Sequence, residues 1–326
     1  MLLKCRICNS AEFDEILYVK EMMFGTGNIY SYYKCAACGA LQIEIPIDDP
    51  ELLYPKNYRS FSSMGNGLKN KIKKLLFKNT VARDIGLSTY LPFILKFGED
   101  YAAKSLRNRI NKNTSILDVG SGSGELIEAL YSLGYKNVEG ADPFIPKNLN
   151  INGLNIVKAY VTNLNENKKY DLIMLHHSFE HMANPEEVLK KIKNLLNENG
   201  QCIIRIPVCD SYSYELYKKD WVQLDAPRHV FLHTNKSMEI LSKSTGMKID
   251  KIENDSNSFQ FIGSEQYKRG ISLSSANSYF KPFYKKIFYK KIFSNKDIKD
   301  FKRKSEELNS YGKGDQRIFI LKKMQN

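Results

Sequence analysis

The sequence is poor in several features that would each have decided its class. It holds one tryptophan and five histidines in 326 residues. No apolar run approaches the ~20 residues that a membrane-spanning helix needs. No stretch shows a glycine triplet period, a sustained heptad or an internal repeat, which excludes collagen-like, coiled-coil and solenoid chains. Met1–Cys8 already carries Lys4, Arg6 and two cysteines, unlike a secretory leader, so the expected compartment is the cytoplasm. What remains, 42% hydrophobic and 26% charged residues, suits a globular chain with room for about two domains.

Acidic residues are outnumbered, 36 Asp and Glu against 49 Lys and Arg, for a formal charge of +13. The excess is concentrated between Lys281 and Lys304, so the basic character belongs to one segment and does not imply a general attraction to nucleic acid. From Phe283 the apolar residues Phe283, Tyr284, Ile287, Phe288 and Ile292 recur at helical spacing. Three readings stay open. The segment packs on a sheet edge with its lysines in water, lies on an anionic membrane as a peripheral contact, or meets nucleic acid or an anionic substrate.

Of the six cysteines, four form two CxxC pairs, Cys5 with Cys8 and Cys35 with Cys38. In a cytosolic chain this spacing points to metal rather than disulfides. Each knuckle presents two thiolates on one tight turn, and Gly39 supplies the turn after the second. Two knuckles give a closed S4 site suited to structural zinc, with rubredoxin-type iron as the alternative. A closed site has no open position for chemistry. Cys202 and Cys209 are expected to be packing residues.

The chain divides into a zinc-binding unit at 1–50, a helical connector at 51–105 broken by Gly65-Asn66-Gly67, and an α/β domain from 106 to 326. Within the connector, Leu68–Phe77 reads as a basic amphipathic helix. Ser115–Val119 is a short strand that opens into Gly120-Ser121-Gly122-Ser123-Gly124, followed by a helix over Glu125–Leu133 with Gly134 at its end. Further strands are expected at Asn137–Ala141, Ile156–Val161, Tyr170–Leu175, Gln201–Ile206 and Met247–Glu253, with helices at Pro185–Leu196 and Lys236–Ser244. Gln316–Lys322 alternates like a last edge strand, which makes roughly 258–313 an insertion between the final two strands. This alternation predicts a mostly parallel sheet with helices on both faces.

A strand that opens into a glycine loop and then a helix is a nucleotide-type site, because glycines admit a close ligand and the helix start offers free N–H groups. A dinucleotide fingerprint would need a third glycine at position 125, where Glu125 stands. No GK[ST] sequence follows, so this is not a P-loop. The loop reads D-x-G-x-G-x-G through Asp118, Gly120, Gly122 and Gly124, and Asp142 closes the next strand.

This arrangement resembles motif I of the class I S-adenosylmethionine (SAM) methyltransferases, and Tyr170–His181 is similar to their fourth-strand motif. The resemblance implies a Rossmann-like methyltransferase fold whose last strand runs antiparallel. It implies SAM as cofactor, held by Asp118, Gly120, Ser121, Gly122, Gly124 and His176. Asp142 would take the ribose hydroxyls, since a carboxylate accepts two hydrogen bonds, and Pro143 and Phe144 would flank the adenine. Asp225–Thr234 resembles the Pro-Arg-His segment of methyltransferases found in bacterial polysaccharide and modified-sugar gene clusters. An N-terminal zinc unit ahead of a SAM domain resembles sugar C-methyltransferases of antibiotic pathways.

All five histidines, His176, His177, His181, His229 and His233, fall between 176 and 233. The ends of parallel strands are where ligands sit, so the cluster should border the SAM pocket. His177, Glu180, His181, His229 and His233 are the candidate catalytic residues. One of the histidines acts as a general base on a substrate hydroxyl, or the group holds a second divalent metal, or Glu180 and His181 only cap the helix. Ubiquinone-pathway and small-RNA O-methyltransferases have a similar Glu-x-x-Glu-His metal pattern, in which His177 here replaces the first Glu. Trp221, Tyr212, Tyr214 and Tyr217 form either a stacking surface for a sugar or base, or ordinary packing.

The expectation is a SAM-dependent O-methyltransferase acting on a sugar, a nucleotide-linked sugar or a surface-glycan precursor. The rivals are a sugar C-methyltransferase, an RNA or tRNA methyltransferase or nucleic-acid-binding protein, and a SAM-fold protein that has lost catalysis.

Overall fold

The computed structural model describes residues 3–47, 53, 68–87, 98–280 and 292–324. The N-terminal part forms three antiparallel strands, β1 (Phe13–Lys20), β2 (Ile29–Cys35) and β3 (Leu41–Ile43). After α1 (Leu68–Asp84) and α2 (Tyr101–Ser105), β4 (Ile116–Val119) leads through the glycine loop to α3 (Glu125–Ser132). Then come β5 (Val138–Ala141), β6 (Leu149–Ile151), β7 (Leu154–Val157) and β8 (Tyr170–His176). Next are α4 (Pro185–Leu195), β9 (Leu196–Pro207), α5 (Tyr212–Tyr217), β10 (Phe231–Leu232) and α6 (Asn235–Ser244). The chain finishes with β11 (Met247–Asn254), α7 (Phe259–Lys268), α8 (Asn295–Ser310) and β12 (Gln316–Lys323).

The larger sheet has the order β11-β12-β9-β8-β4-β5-β7-β6. Its central pairs, β9–β8, β8–β4, β4–β5 and β5–β7, are parallel. β12 runs antiparallel to both β9 and β11, and β6 is an antiparallel hairpin strand on β7. The sheet is therefore the Rossmann-like methyltransferase arrangement. One expectation is corrected: β12 is not an edge strand. It lies between β9 and β11, and Gln316–Leu321 are buried. The Gln-Arg-Ile-Phe-Ile-Leu pattern reads as half-exposed because Gln316 and Arg317 are polar, but the Gln316 side chain meets His177 and Arg317 pairs with Asp210. Two boundaries also shift. The third strand stops at Val157, and Val161–Asn163 is a short 3-10 turn. β9 begins at Leu196, so Asn199-Gly200 lies inside a strand span.

Alternate residues of the central strands serve two cores. Leu117, Val119, Ile173, Leu175 and Ile204 face one side, while Ile116, Leu172, Met174 and Ile203 face the other. The first core is continuous with Cys5, Cys35, Cys38, Leu41 and Ile43. The smaller sheet makes the same join, because β3 pairs with β10, Gln42 opposite Phe231.

The connector's glycine break at 65–67 and residues 281–291 of the basic segment lie outside the described residues. The flanks of that segment turn inward: Phe293 is buried, edge-on to Tyr279 at 5.8 Å and beneath the Arg269 guanidinium. Among the described residues no helix is long and apolar enough to cross a membrane.

Candidate functional site

The carboxyl ends of β4, β5 and β8 surround a cleft of about 800 Å³. The glycine loop forms one lip. Gly120 and Gly124 have φ of +77° and +83°, which side-chain-bearing residues rarely adopt. A Cβ on Gly120 would stand 2.4 Å from the Ser178 Cβ, while the Ser178 hydroxyl donates to the Val119 carbonyl at 2.8 Å. The loop is thus pressed onto the end of β8.

Asp142 faces that loop. Its Oδ2 accepts the Gly122 amide at 2.9 Å and its Oδ1 accepts the Phe144 amide at 2.8 Å. Each oxygen keeps a lone pair for a ligand hydroxyl. Asp118 sits buried behind the loop, where burial, reinforced by Asp142's charge, pushes its carboxyl up to about 7. Burial also raises Asp142, against the pull of its backbone amides.

Pro143, Phe144 and His176 line the cleft beside the loop. Burial, Arg205 and His177 push the His176 imidazole down to about 3, so it is neutral. Neither of its ring nitrogens has a protein partner, nor does the Ser121 hydroxyl. Buried polar atoms without partners are uncommon, and here they border a cleft. They match what a bound polar ligand such as adenosine would satisfy.

The other half of the cleft holds His177, His181 and His229. His177 has φ +51°. Its Nε2 receives Arg205 at 2.6 Å and the Gln316 amide at 2.5 Å, which leaves Nδ1 to donate to Glu180 at 3.2 Å. Both its nitrogens are engaged. His181 donates Nδ1–H to the Arg228 carbonyl at 2.8 Å, and His229 donates Nδ1–H to the Gln223 carbonyl at 2.7 Å. In each the proton sits on Nδ1, because a carbonyl can only accept. The two rings meet edge to face at 4.8 Å. Burial and the neighbouring His229 hold His181 below the ordinary imidazole range.

Glu180 is fully buried. Burial alone would raise its carboxyl, but the His177 hydrogen bond and the surrounding imidazoles hold it below the ordinary range. Its Oε2 has no partner. Ligand atoms of Glu180, His181 and His229 lie within 4.8 Å of one another.

His233 is not among the residues that line the cleft. It is buried, stacked against Phe179 and Phe231 at 5.3 and 5.7 Å. Trp221 and Tyr214 are also interior. Trp221 donates to Asp315 at 3.0 Å, and Tyr214 donates to Glu15 at 2.6 Å, so these two offer no stacking platform. Cys202 and Cys209 are buried free thiols, and Cys209 donates to the carbonyls of Gly39 and Leu232.

Sequence reasoning gave no individual role to Asp225, Arg228, Asp100 or the short stretch Pro46-Ile47, all of which line the cleft. Asp225 and Arg228 stood inside a quoted motif, but only the fold shows them facing His181. Nothing in the sequence signals Pro46 and Ile47, which arrive from the N-terminal unit.

That unit carries the second centre. Cys5, Cys8, Cys35 and Cys38 have their sulfurs within 4.8 Å of one another, with Cys5–Cys38 at 3.6 Å and Cys8–Cys35 at 3.5 Å, and all are free thiols. A tetrahedron built from Zn–S bonds of ~2.3 Å has edges of about 3.8 Å, so the spacing suits an S4 zinc site. Both knuckles end on a left-handed residue, Asn9 at φ +60° and Gly39 at φ +74°, whose amides return to the Cys5 and Cys35 carbonyls.

Residues 94–252 match a family model described as a methyltransferase domain. Over those residues, fold, loop and match together define a SAM-dependent methyltransferase domain. No curated protein gives a significant match to the chain.

Among solved structures, the chain is similar to a SAM-dependent methyltransferase from Archaeoglobus fulgidus, with 20% identity, a TM-score of 0.39, and 65% of this chain and 87% of that one covered. It is also similar to a chain of the complex between the Haloferax volcanii Trm112 methyltransferase activator and a methyltransferase, with 13% identity, a TM-score of 0.45, and 69% and 89% covered. A third is coclaurine N-methyltransferase bound to N-methylheliamine and S-adenosylhomocysteine, with 15% identity, a TM-score of 0.41, and 79% and 90% covered.

Proposed function

We propose that the protein uses SAM to methylate a hydroxyl oxygen on a sugar, a nucleotide-linked sugar or a surface-glycan precursor. When bound, SAM supplies an electrophilic methyl group. Asp142 would hold its ribose, the amides around Gly120–Gly124 its amino-acid end, and Phe144 and His176 its adenine. The observation that carries the reading is the pinned tautomer of His181. With Nδ1–H fixed on the Arg228 carbonyl and its protonation disfavoured by burial, Nε2 is an unprotonated acceptor inside the cleft near neutral pH. A hydroxyl is a poor nucleophile until it loses its proton, and a positioned imidazole takes that proton as the oxygen attacks. His229, Asp225 and Arg228 add donors and acceptors suited to a polyhydroxylated acceptor.

A second reading has a divalent cation held by Glu180, His181 and His229, assisting deprotonation of the same hydroxyl. It is supported by the partnerless Glu180 Oε2 and by the two Nδ1–carbonyl bonds, since imidazoles that ligate metals are usually oriented through their second nitrogen. In either reading residues 1–50 form the zinc unit, 51–105 the connector and 106–326 the catalytic domain, and the reduced cysteines suit the cytoplasm.

The test is incubation with methyl-labelled SAM and a panel of nucleotide sugars, with an RNA arm, in metal-stripped and metal-supplemented buffer. One added methyl on a sugar, independent of added metal, supports the first reading. Dependence on metal supports the second. Label in RNA alone overturns both.

A further inference from the structure

The N-terminal cysteine unit meets the methyltransferase domain at the segment that carries His229 and holds His181. The turn Asp225–His229 is tied to it at successive residues. The Arg228 guanidinium, buried over the Phe24 ring at 4.8 Å, donates to Glu21 at 2.8 Å and to Asp225 at 2.6 Å. The His229 carbonyl accepts the hydroxyl of fully buried Tyr32 at 2.7 Å. The Val230 carbonyl accepts the Ile43 amide at 3.0 Å. On the far side, the Thr234 hydroxyl donates to the Cys38 carbonyl at 2.7 Å. The same turn sets both imidazoles, because the Arg228 carbonyl takes His181 Nδ1 and His229 belongs to the turn itself.

We infer that Glu21 and Tyr32 are positioning residues for His181 and His229, so that the cysteine unit is a wall of the acceptor site and not an appended module. This rests on the reading of those histidines given above. The physical reason lies in the turn's own composition. Asp225 has φ +34°, a conformation that a non-glycine residue holds only when its surroundings impose it. Its half-buried carboxylate pairs with buried Arg228, and an ion pair withdrawn from water is stable only when further hydrogen bonds complete it. Glu21 completes it. Two backbone amides, from Phe24 at 2.8 Å and Thr26 at 2.9 Å, hold Glu21 in turn. Pro46 and Ile47 extend the same unit into the lining of the cleft.

The experiment compares full-length parent, Tyr32→Phe and Glu21→Gln by imidazole 15N spectra, in the presence of S-adenosylhomocysteine. In the parent, His181 and His229 should both show the Nδ1–H tautomer. In both variants their resonances should move or broaden, His229 most in Tyr32→Phe and His181 most in Glu21→Gln. The His176 signal and the affinity for S-adenosylhomocysteine should stay within twofold of the parent. Folded variants whose His181 and His229 signals superimpose on the parent's would overturn the inference. A melting measurement separates general loss of stability, which would not single out two imidazoles. A parent that transfers no methyl group would sink the functional reading without touching this spectroscopic result.

Discussion

The Asp142 carboxylate accepts the backbone amide of Gly122 at 2.9 Å, so the acidic end of β5 and the glycine loop after β4 form one continuous surface. The unpartnered atoms of Ser121 and His176 face the same cleft. A ligand that bridges this surface must offer hydroxyls to one side and acceptors to the other, as adenosine does.

The loop tolerates no side chain at its first glycine. Gly120→Ala would place a Cβ 2.4 Å from that of Ser178, at φ +77°. Strain and overpacking together should cost about 2–4 kcal/mol. Urea denaturation should show a lowered midpoint with an unchanged slope, whereas an unchanged midpoint would mean the loop is free to move.

Asp118 makes stability depend on pH. Its carboxyl titrates at about 7 when folded and near 3.9 when unfolded. Between these values the folded state binds more protons, so stability falls as pH rises through this window. The loss has an upper bound of about 4 kcal/mol. Asp118→Asn should flatten the slope and be more stable than the parent at pH 8. Buried Asp315, also pushed up to about 7, leaves part of the slope in place. Identical slopes for parent and variant would contradict the assignment.

The histidines should separate by role. His181→Gln is expected to lower methyl transfer by roughly 10²–10⁴-fold with SAM affinity unchanged. His233→Ala should instead cost about 2–4 kcal/mol of stability, because it empties the gap between Phe179 and Phe231. Steady-state rates and melting curves of the two variants check this. Equal rate losses at matched stability would erase the distinction.

Metal analysis of the purified chain should find about one zinc, as one S4 site requires. Cys35→Ser should lose it and melt at lower temperature, because zinc binding and folding of such knuckles are coupled. Full metal content in Cys35→Ser would place the ion elsewhere.

What the sequence made legible was local. The glycine loop, Asp142 and the two CxxC turns are each written within a few residues, and a strand that must enter a tight turn next to a ligand leaves little choice of residue. What stayed hidden was set by strand order and by contacts across the chain. β12 looks like an edge strand until β11 is seen to lie outside it. His229 and His233 look alike in a cluster, yet one opens on the cleft and the other is stacked between two phenylalanines. Tyr32 meets His229 and Glu21 meets Arg228 only because β3 docks on β10, a long-range pairing that no spacing announces.

Calorimetric titration of the full-length protein and of Asp142→Ala with SAM and S-adenosylhomocysteine tests the central claim most directly. The account predicts one site per chain in the parent. In folded Asp142→Ala, the loss of charge-assisted bonds of about 1.5–3 kcal/mol each should weaken binding at least about tenfold. A folded parent that binds neither ligand, or an Asp142→Ala protein that binds both as tightly as the parent, would contradict it.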